Sequence, residues 1–564
     1  MNQVLMFSPY AGILDHAKIE MDFSFRMRAQ RKSVTFVRCD GKYKNFCITM
    51  AAFNLNELSN SIEKEKICKI CKSDRDFMGG FPSLDTVLIE DLIDHETIQQ
   101  VDKLLRDVNR SDWHDLEVDG FPFGRYSAYE TLLTHKLPTS DIPEKLWPFF
   151  KTNLRSCLET YFGLLKFLAS KNFSELVVYN FLYSCNRAAG AAAEKLGIPV
   201  KSLQANGPMS DIYSRYLIYP PTSEYFSLNS SALWSIEETK SLKFKSILGV
   251  HRHFKAIFEA KNVWVYSTKA GKISKQLIFQ KLGIPEDNEI VLLTTSSQDE
   301  LFAFNFVGLV KSTNNLDQNL FKDTLSWVQH TIELFRELPT RTLVIRLHPR
   351  EFANRREGIN SESGKKIVEY LNSVKLPLNV VINTPDQEIS LYQLAPLTKL
   401  LINGTSSVGV EFAALGVPSI CAFPSDLRSY PSSLSIIPNS IEDYQALLKC
   451  DSKKLIDRDL TLRCYRWVNF RYFSVTQGIS SLSRSRSRLL FSGAYKKYTR
   501  LVPKSALIYR ILLHRRTNHI RTLSFEYPEH RPLASNRNGS AVLEGSIIRF
   551  SSFLLQKHLT RNIV

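Results

Sequence analysis

Thr398–Phe423 reads TKLLINGTSSVGVEFAALGVPSICAF. Leu400–Ile402 is a short apolar run of the kind that forms a buried parallel strand. Asn403-Gly404-Thr405-Ser406-Ser407 follows, with no bulky side chain before Val408. The spacing of Val410, Phe412, Ala413 and Leu415 predicts a helix, and Gly416 fits the left-handed position that ends one. Pro418 opens the next apolar run, Ser419–Phe423. The stretch is therefore strand, loop, helix, strand, the repeating unit of a parallel α/β sheet. Backbone N–H groups at a helix start lack partners and favour an anion. Thr405, Ser406 and Ser407 add hydroxyl donors there, and Glu411, four residues past Ser407, could accept from ribose hydroxyls. A plain Ser/Thr helix cap would look the same in isolation.

Thr342–Glu351, TLVIRLHPRE, is an apolar strand that ends in Arg346, His348, Pro349 and Arg350. The C-terminal edge of such a strand is where open α/β sheets bind ligands. Glu289–Ser296 is an earlier strand, followed by Ser296-Ser297-Gln298-Asp299-Glu300, which would face the same edge. Asp299 there also suits a helix cap. A first α/β unit opens the chain, with strands at Gln3–Phe7 and Ser33–Val37 around a helix, and later strands at Glu175–Asn180 and Ile198–Leu203. Its first turn, Ser8-Pro9-Tyr10-Ala11-Gly12, is not the glycine pattern of a dinucleotide site. The expected fold class is α/β, with two Rossmann-type domains facing a cleft. The expected divisions are residues 1–235 with a helical insertion over 83–168, a connector over 236–282, a second domain over 283–450, return helices over 451–480 and a basic amphipathic tail over 481–564.

The order strand–His-Pro, then Asp386–Tyr392 (DQEISLY), then N-G-T-S-S-V-G-x-E-x-x-x-x-G-x-P resembles the donor half of GT-B glycosyltransferases. It is most similar to the group that builds bacterial capsules and surface polysaccharides, including β-Kdo transferases. That resemblance implies a CMP-activated donor, Kdo or a related acid sugar, and a polysaccharide, lipopolysaccharide or lipid-linked acceptor. It implies donor contacts from Arg346, His348, Pro349, Thr405, Ser406, Ser407, Glu411, Ser296 and Ser297, with no metal and no cofactor required. Asp115–Thr131 resembles an acceptor-side segment, which makes Gly120 and Arg125 acceptor candidates and Asp119 and Glu117 candidate catalytic carboxylates. Solvated loop acids are the plainer reading of that pair. Asn180, at a strand end, joins the acceptor side. Asn206 stands where relatives often carry an acid before glycine, which weakens any transfer of that role. A UDP- or GDP-sugar transferase, a CDP-polyol transferase, a nucleotide-sugar epimerase and a non-catalytic assembly protein of polysaccharide export remain as alternatives.

The 564 residues carry a formal charge of +17. Residues 481–564 hold +13 of it, which leaves +4 on the preceding 480. A nearly balanced body argues against a nucleic-acid partner, and a basic tail suits an anionic membrane surface. Ala506–Leu513 and Ser546–Leu559 mix basic and apolar residues; in the latter Ile547, Phe550 and Leu554 share a helical face beside Ile548, Leu555 and Leu559. No run reaches the roughly 18–20 apolar residues of a membrane span, and the N-terminus lacks the basic start of a signal peptide. The expected location is cytoplasmic, peripheral at the inner face of the membrane. Nine scattered cysteines read as reduced thiols. Cys39, Cys47, Cys68 and Cys71 could form a four-thiolate zinc site, although one C-x-x-C with two distant partners favours free thiols.

Overall fold

The computed structural model describes residues 3–79, 85–220, 232–261, 267, 271–308, 320–353, 358–384, 387–423, 430–479, 537–561 and 563. Its frame is two sheets. The first has the order β12-β6-β5-β4-β1-β2-β3, built from β1 (Gln3–Phe7), β2 (Ser33–Arg38), β3 (Asp85–Leu88), β4 (Phe173–Tyr179), β5 (Val200–Ala205), β6 (Arg215–Tyr219) and β12 (Gln477–Gly478). Strands β1 to β5 run parallel, while β6 and β12 add an antiparallel edge. The second sheet is wholly parallel, in the order β11-β10-β7-β8-β9: β7 (Glu289–Thr294), β8 (Arg341–Arg346), β9 (Val380–Ile382), β10 (Thr398–Asn403) and β11 (Ser419–Cys421). Runs such as Ile290–Leu293, Leu343–Ile345 and Leu400–Ile402 are buried throughout, as strands covered by helices on both faces must be.

Each sheet reverses its strand order once, beside β1 in the first and beside β7 in the second. Loops at those reversals diverge and leave a crevice. In the second sheet the loops after β7 and β10 flank it. The two-domain α/β architecture expected from the sequence is therefore present, and β12 carries the chain back to the first sheet after the return helix Leu460–Asn469.

A polar and aromatic seam joins the units. The helix Gln298–Phe306 leaves β7 but buries Ala303 in the first unit's core, with Phe302, Phe304 and Phe306 against it. Its base is the buried pair Arg350–Asp299, at 2.7 and 3.0 Å. Arg350 also reaches the first unit, donating to the carbonyl of Leu133, 2.7 Å away. Lys136, also buried, returns the contact by donating to the carbonyls of Arg350, Phe352 and Ile359 at 2.6, 2.8 and 2.7 Å. Removing one member of such a pair strands a charge in low dielectric, at a cost of about 3–5 kcal/mol.

The connector and tail depart from expectation. Ser235–Lys272 offered no assignable chemistry, yet its helix Phe244–Phe258 packs beside the return helix and borders the cleft. The terminal helix Arg537–Thr560 docks on the body instead of standing free. Ile548, Leu555 and Leu559 are buried there, Ser552 Oγ donates to the Ala414 carbonyl at 2.8 Å, and Arg466 holds the buried Glu544 at 2.9 Å. Phe550 and Leu554 face outward, so the single apolar face read from the sequence divides into a packed stripe and an exposed one. Ala506–Leu513 lies outside the described residues. Among the described residues, no helix is long and apolar enough to cross a membrane, and no group of three or more His, Cys, Asp or Glu side chains could hold a metal ion.

Candidate active site

Strand ends of the second sheet wall a cavity of about 140 Å³ between the units. Arg346, His348, Pro349, Ser406, Ser407 and Glu411 line it, six of the nine residues expected to contact the donor. Thr405, Ser296 and Ser297 stand behind the wall and shape it. Thr405 N–H donates to Ser296 Oγ at 2.7 Å, and Ser297 Oγ donates to Asp299 at 2.7 Å. A side chain at Gly404 would begin 2.6 Å from Ser296 Oγ, and one at Gly409 only 2.3 Å from Tyr430 Oη. Both glycines are there so that these neighbours can approach.

The loop after β10 is fixed from beneath by Asn403. Its Oδ1 accepts from Thr294 Oγ1 at 2.8 Å, and its Nδ2 donates to the Ser406 carbonyl at 2.7 Å and to Tyr430 Oη at 2.9 Å. The helix that follows covers only Val408–Ala413. Its first N–H groups are already engaged: Gly409 and Val410 donate to the Ser406 and Ser407 carbonyls at 3.3 and 2.9 Å, and Val408 to Ser406 Oγ at 3.4 Å. An anion cradle made of free helix N–H groups, the sequence expectation, is therefore corrected. What faces the cavity is side-chain hydroxyl, imidazole and guanidinium. The expected glycine stop holds: Gly416 has φ +73° and its N–H reaches the Ala413 carbonyl at 3.0 Å.

His348 is held at both ends. Its N–H donates to Thr295 Oγ1 at 2.8 Å, and its Nδ1 accepts from Arg350 N–H at 3.3 Å. An accepting Nδ1 places the ring proton on Nε2. Burial, then the cations Arg350 and Arg346, lower its pKa to about 4. His348 is thus a neutral ring whose Nε2–H is the donor. Arg346 supplies the positive charge, and burial lowers its pKa to about 10, still protonated at neutral pH. Its guanidinium is oriented by Asn383 Oδ1 and by the Ile389 carbonyl at 2.9 Å. Glu411 accepts from Tyr392 Oη at 3.1 Å and from Ser407 Oγ at 3.3 Å. Burial pushes its pKa up to about 7 against those hydrogen bonds.

Several lining groups escaped the sequence reading. His253, on the connector helix, accepts from Met209 N–H at 3.0 Å and packs on Tyr472 with centroids 4.6 Å apart. Burial lowers its pKa to about 3, so it too is neutral. Tyr392, Trp467, Arg471 and Tyr472 complete that wall. The aromatic density of 465–473 was the available signal, but nothing in it indicated a cleft.

The structure does not bring the remaining candidates to this cavity. Asp119 has φ +54°, accepts from Tyr161 Oη at 2.6 Å and lies 3.6 Å from Lys195. Lys195 ends the helix Ser184–Lys195, whose other end follows β4 toward the cleft. Eleven residues of helix separate those ends by roughly 16 Å. Glu117 and Gly120 share the Asp119 turn, and Arg125 donates to the His114 carbonyl at 3.4 Å while packing 5.7 Å from the Phe306 ring. All four are exposed and none lines this cavity. Asn180 directly follows β4, with φ +57° and Oδ1 accepting from Leu182 N–H at 3.1 Å, and does not line this cavity. Asn206 donates to the Arg471 carbonyl at 2.7 Å, a tether between the units in place of an acid.

No family model matches the chain, and no curated protein sequence matches it. Among solved structures, the Thermosulfurimonas dismutans KpsC β-Kdo 2,4 transferase shares 15% identity at a TM-score of 0.31, over 52% of this chain and 78% of that one. A Methanocaldococcus jannaschii UDP-GlcNAc 2-epimerase, in complex with UDP-GlcNAc and UDP, shares 13% identity at a TM-score of 0.26, over 80% and 92%. The spinosyn rhamnosyltransferase SpnG shares 10% identity at a TM-score of 0.27, over 83% and 95%. At these scores the fold rests on the order and direction of the strands themselves.

Proposed function

We propose that the chain is a nucleotide-sugar-dependent glycosyltransferase of GT-B type that takes a CMP-activated acid sugar, Kdo or a relative, to a surface-polysaccharide or lipid-linked glycan acceptor. The observation that carries this reading is convergence. Two stretches far apart in sequence, 346–349 and 406–411, meet at one cavity at the strand-order reversal of a parallel sheet. In the reaction, the bond from the anomeric carbon to phosphate oxygen breaks, its electron pair stays on the phosphate, an acceptor hydroxyl oxygen bonds the carbon, and the acceptor's proton passes to the released phosphate or to solvent. Arg346, His348 Nε2–H and the Ser406 hydroxyl would meet the charge that develops on phosphate, with little reorganisation because each is already held, and the Ser407 hydroxyl would join them by releasing Glu411. Glu411 would accept from the ribose hydroxyls. Pockets for ligands of this size usually offer roughly 300–1,000 Å³, so donor binding would widen the cleft.

A peripheral position at an anionic membrane belongs to the same reading. The exposed stripe of the terminal helix carries Leu543, Phe550, Phe553 and Leu554, with Arg549 and Lys557 beside it, and follows the basic segment. Basic amphipathic helices bind anionic lipid surfaces in this way. The direct test of the chemistry is incubation with CMP-Kdo and short lipid-linked or polysaccharide acceptors, followed by mass spectrometry of the product. Sugar addition that requires Ser406 and Ser407 supports the proposal. Release of CMP without any extended glycan, or extension from UDP-sugars alone, would replace it.

A further inference from the structure

A second cavity, much larger at about 1750 Å³, lies wholly in the first unit. It opens between the loop 40–46 after β2 and the helices Ser61–Gly79, His95–Asp107 and Trp147–Ala169. Glu57 lines it at 7% exposure, and neither carboxylate oxygen has a hydrogen bond. His135 Nε2 is 3.4 Å away and is itself without one. Glu90 lines the same space. Its Oε1 accepts from the N–H groups of Asp40 and Lys42 at 2.7 and 2.6 Å, but its Oε2 is buried without a partner. Buried carboxylate oxygens left without donors are costly, and native proteins rarely keep them without a use. They call for a ligand rich in hydroxyl donors.

The rim calls for negative charge as well. Lys42, Lys69 and Lys72 are already paired with Glu159, Glu65 and Asp40 at 3.0, 2.9 and 3.3 Å. Lys44 and Lys151 also line the cavity and have no carboxylate partner among the described residues. Phe149 adds an apolar ring, parallel to His135 within 15°. Hydroxyl acceptors within, unpaired ammonium groups at the rim and a flat ring match one ligand class. We propose that this cavity binds an acidic glycan, with sugar hydroxyls donating to Glu57 and Glu90 and anionic substituents on Lys44 and Lys151. Taking that glycan to be the acceptor rests on the transferase reading; its binding does not. The two sites are neighbours through the consecutive turn residues 135 and 136: His135 faces Glu57, and Lys136 clasps the Arg350 carbonyl, two residues past His348.

The test is calorimetric titration of the full chain with an α2,8-linked tetrasialic acid, with maltotetraose and with inorganic phosphate. The tetrasialic acid should bind, and the neutral tetramer and phosphate should each bind at least ten-fold more weakly. Glu57→Gln and the rim variant Lys44→Ala/Lys151→Ala should each weaken it about ten-fold, with melting temperature and CMP affinity unchanged. The rim pair keeps the test decisive if Glu57→Gln alters folding. Absence of binding to folded wild type, phosphate binding as tight as the tetramer, or wild-type binding by folded variants would overturn the proposal. Ser406→Ala/Ser407→Ala should lose CMP and keep the tetramer. Tetramer binding to a wild-type protein that takes up no CMP would remove the donor reading and leave this site standing.

Discussion

The two cavities are built in opposite ways. Around the small one, each polar group is held before any ligand arrives: Asn403 ties the Ser406 loop, Thr295 and Arg350 fix His348, and Asn383 orients Arg346. Around the large one, carboxylate oxygens of Glu57 and Glu90 lack donors, and long lysines form the rim. Fixed donors suit a group whose charge changes during reaction, since they need no rearrangement as it develops. Unsatisfied acids and free lysines suit a ligand that supplies its own hydrogen bonds and charge. On the proposed reading, activation belongs to the second unit and glycan holding to the first, with the Arg350 seam between them.

The largest expected effect comes from cutting that seam. Arg350→Ala leaves Asp299 buried without its guanidinium partner and takes one donor from the Leu133 carbonyl, and should cost about 3–5 kcal/mol in chemical denaturation. Both cavities should suffer together. If only CMP binding falls, the seam serves one site and the comparison weakens.

Next is Ser406→Ala/Ser407→Ala, which should lower CMP affinity roughly 10- to 100-fold per lost charge-assisted hydrogen bond, at about 1.5–3 kcal/mol each. Titration calorimetry reads this directly, and the melting temperature should hold.

The pH dependence is smaller. Glu411 titrates near 7 because it is buried, so it loses acceptor capacity as pH falls through 7. Cytidine, which lacks a phosphate to titrate, should bind up to about ten-fold more weakly at pH 6 than at pH 8. Glu411→Gln should flatten that profile. His348, lowered to about 4, stays neutral across the window and adds no slope.

Smallest of all, Asp119→Asn should change CMP affinity and turnover by less than about two-fold, since surface substitutions away from a site shift energies by about 0.5 kcal/mol or less. A ten-fold loss of turnover would return Asp119 to the chemistry.

The same contrast explains what could be read from the chain. Each wall of the small cavity is a contiguous stretch, L-H-P-R or N-G-T-S-S-V-G-x-E, so local pattern placed six of its residues, and apolar strand runs placed both sheets. The large cavity draws Glu57, Glu90, Asp102 and Lys151 from four distant segments, with no spacing to betray them. For Asp119 the sequence shows only a Gly-rich acidic turn, which looks alike wherever it faces; its contacts with Tyr161 and Lys195 appear only in the folded chain. The helix-start phosphate cradle failed for a local reason: a six-residue helix whose first N–H groups bond back to Ser406 and Ser407 has few to spare. His253 and Tyr472 were illegible because they reach the cleft from a connector and a return helix.

The central claim is that the Ser406–His348–Glu411 cavity is a CMP site. Calorimetric binding of CMP, CDP, UDP and GDP to wild type and to His348→Ala tests it most directly. The expected result is selective CMP binding, weakened at least ten-fold in the variant, with both proteins equally stable. Well-folded wild type that binds none of the four, or binds CMP equally with and without His348, would contradict it.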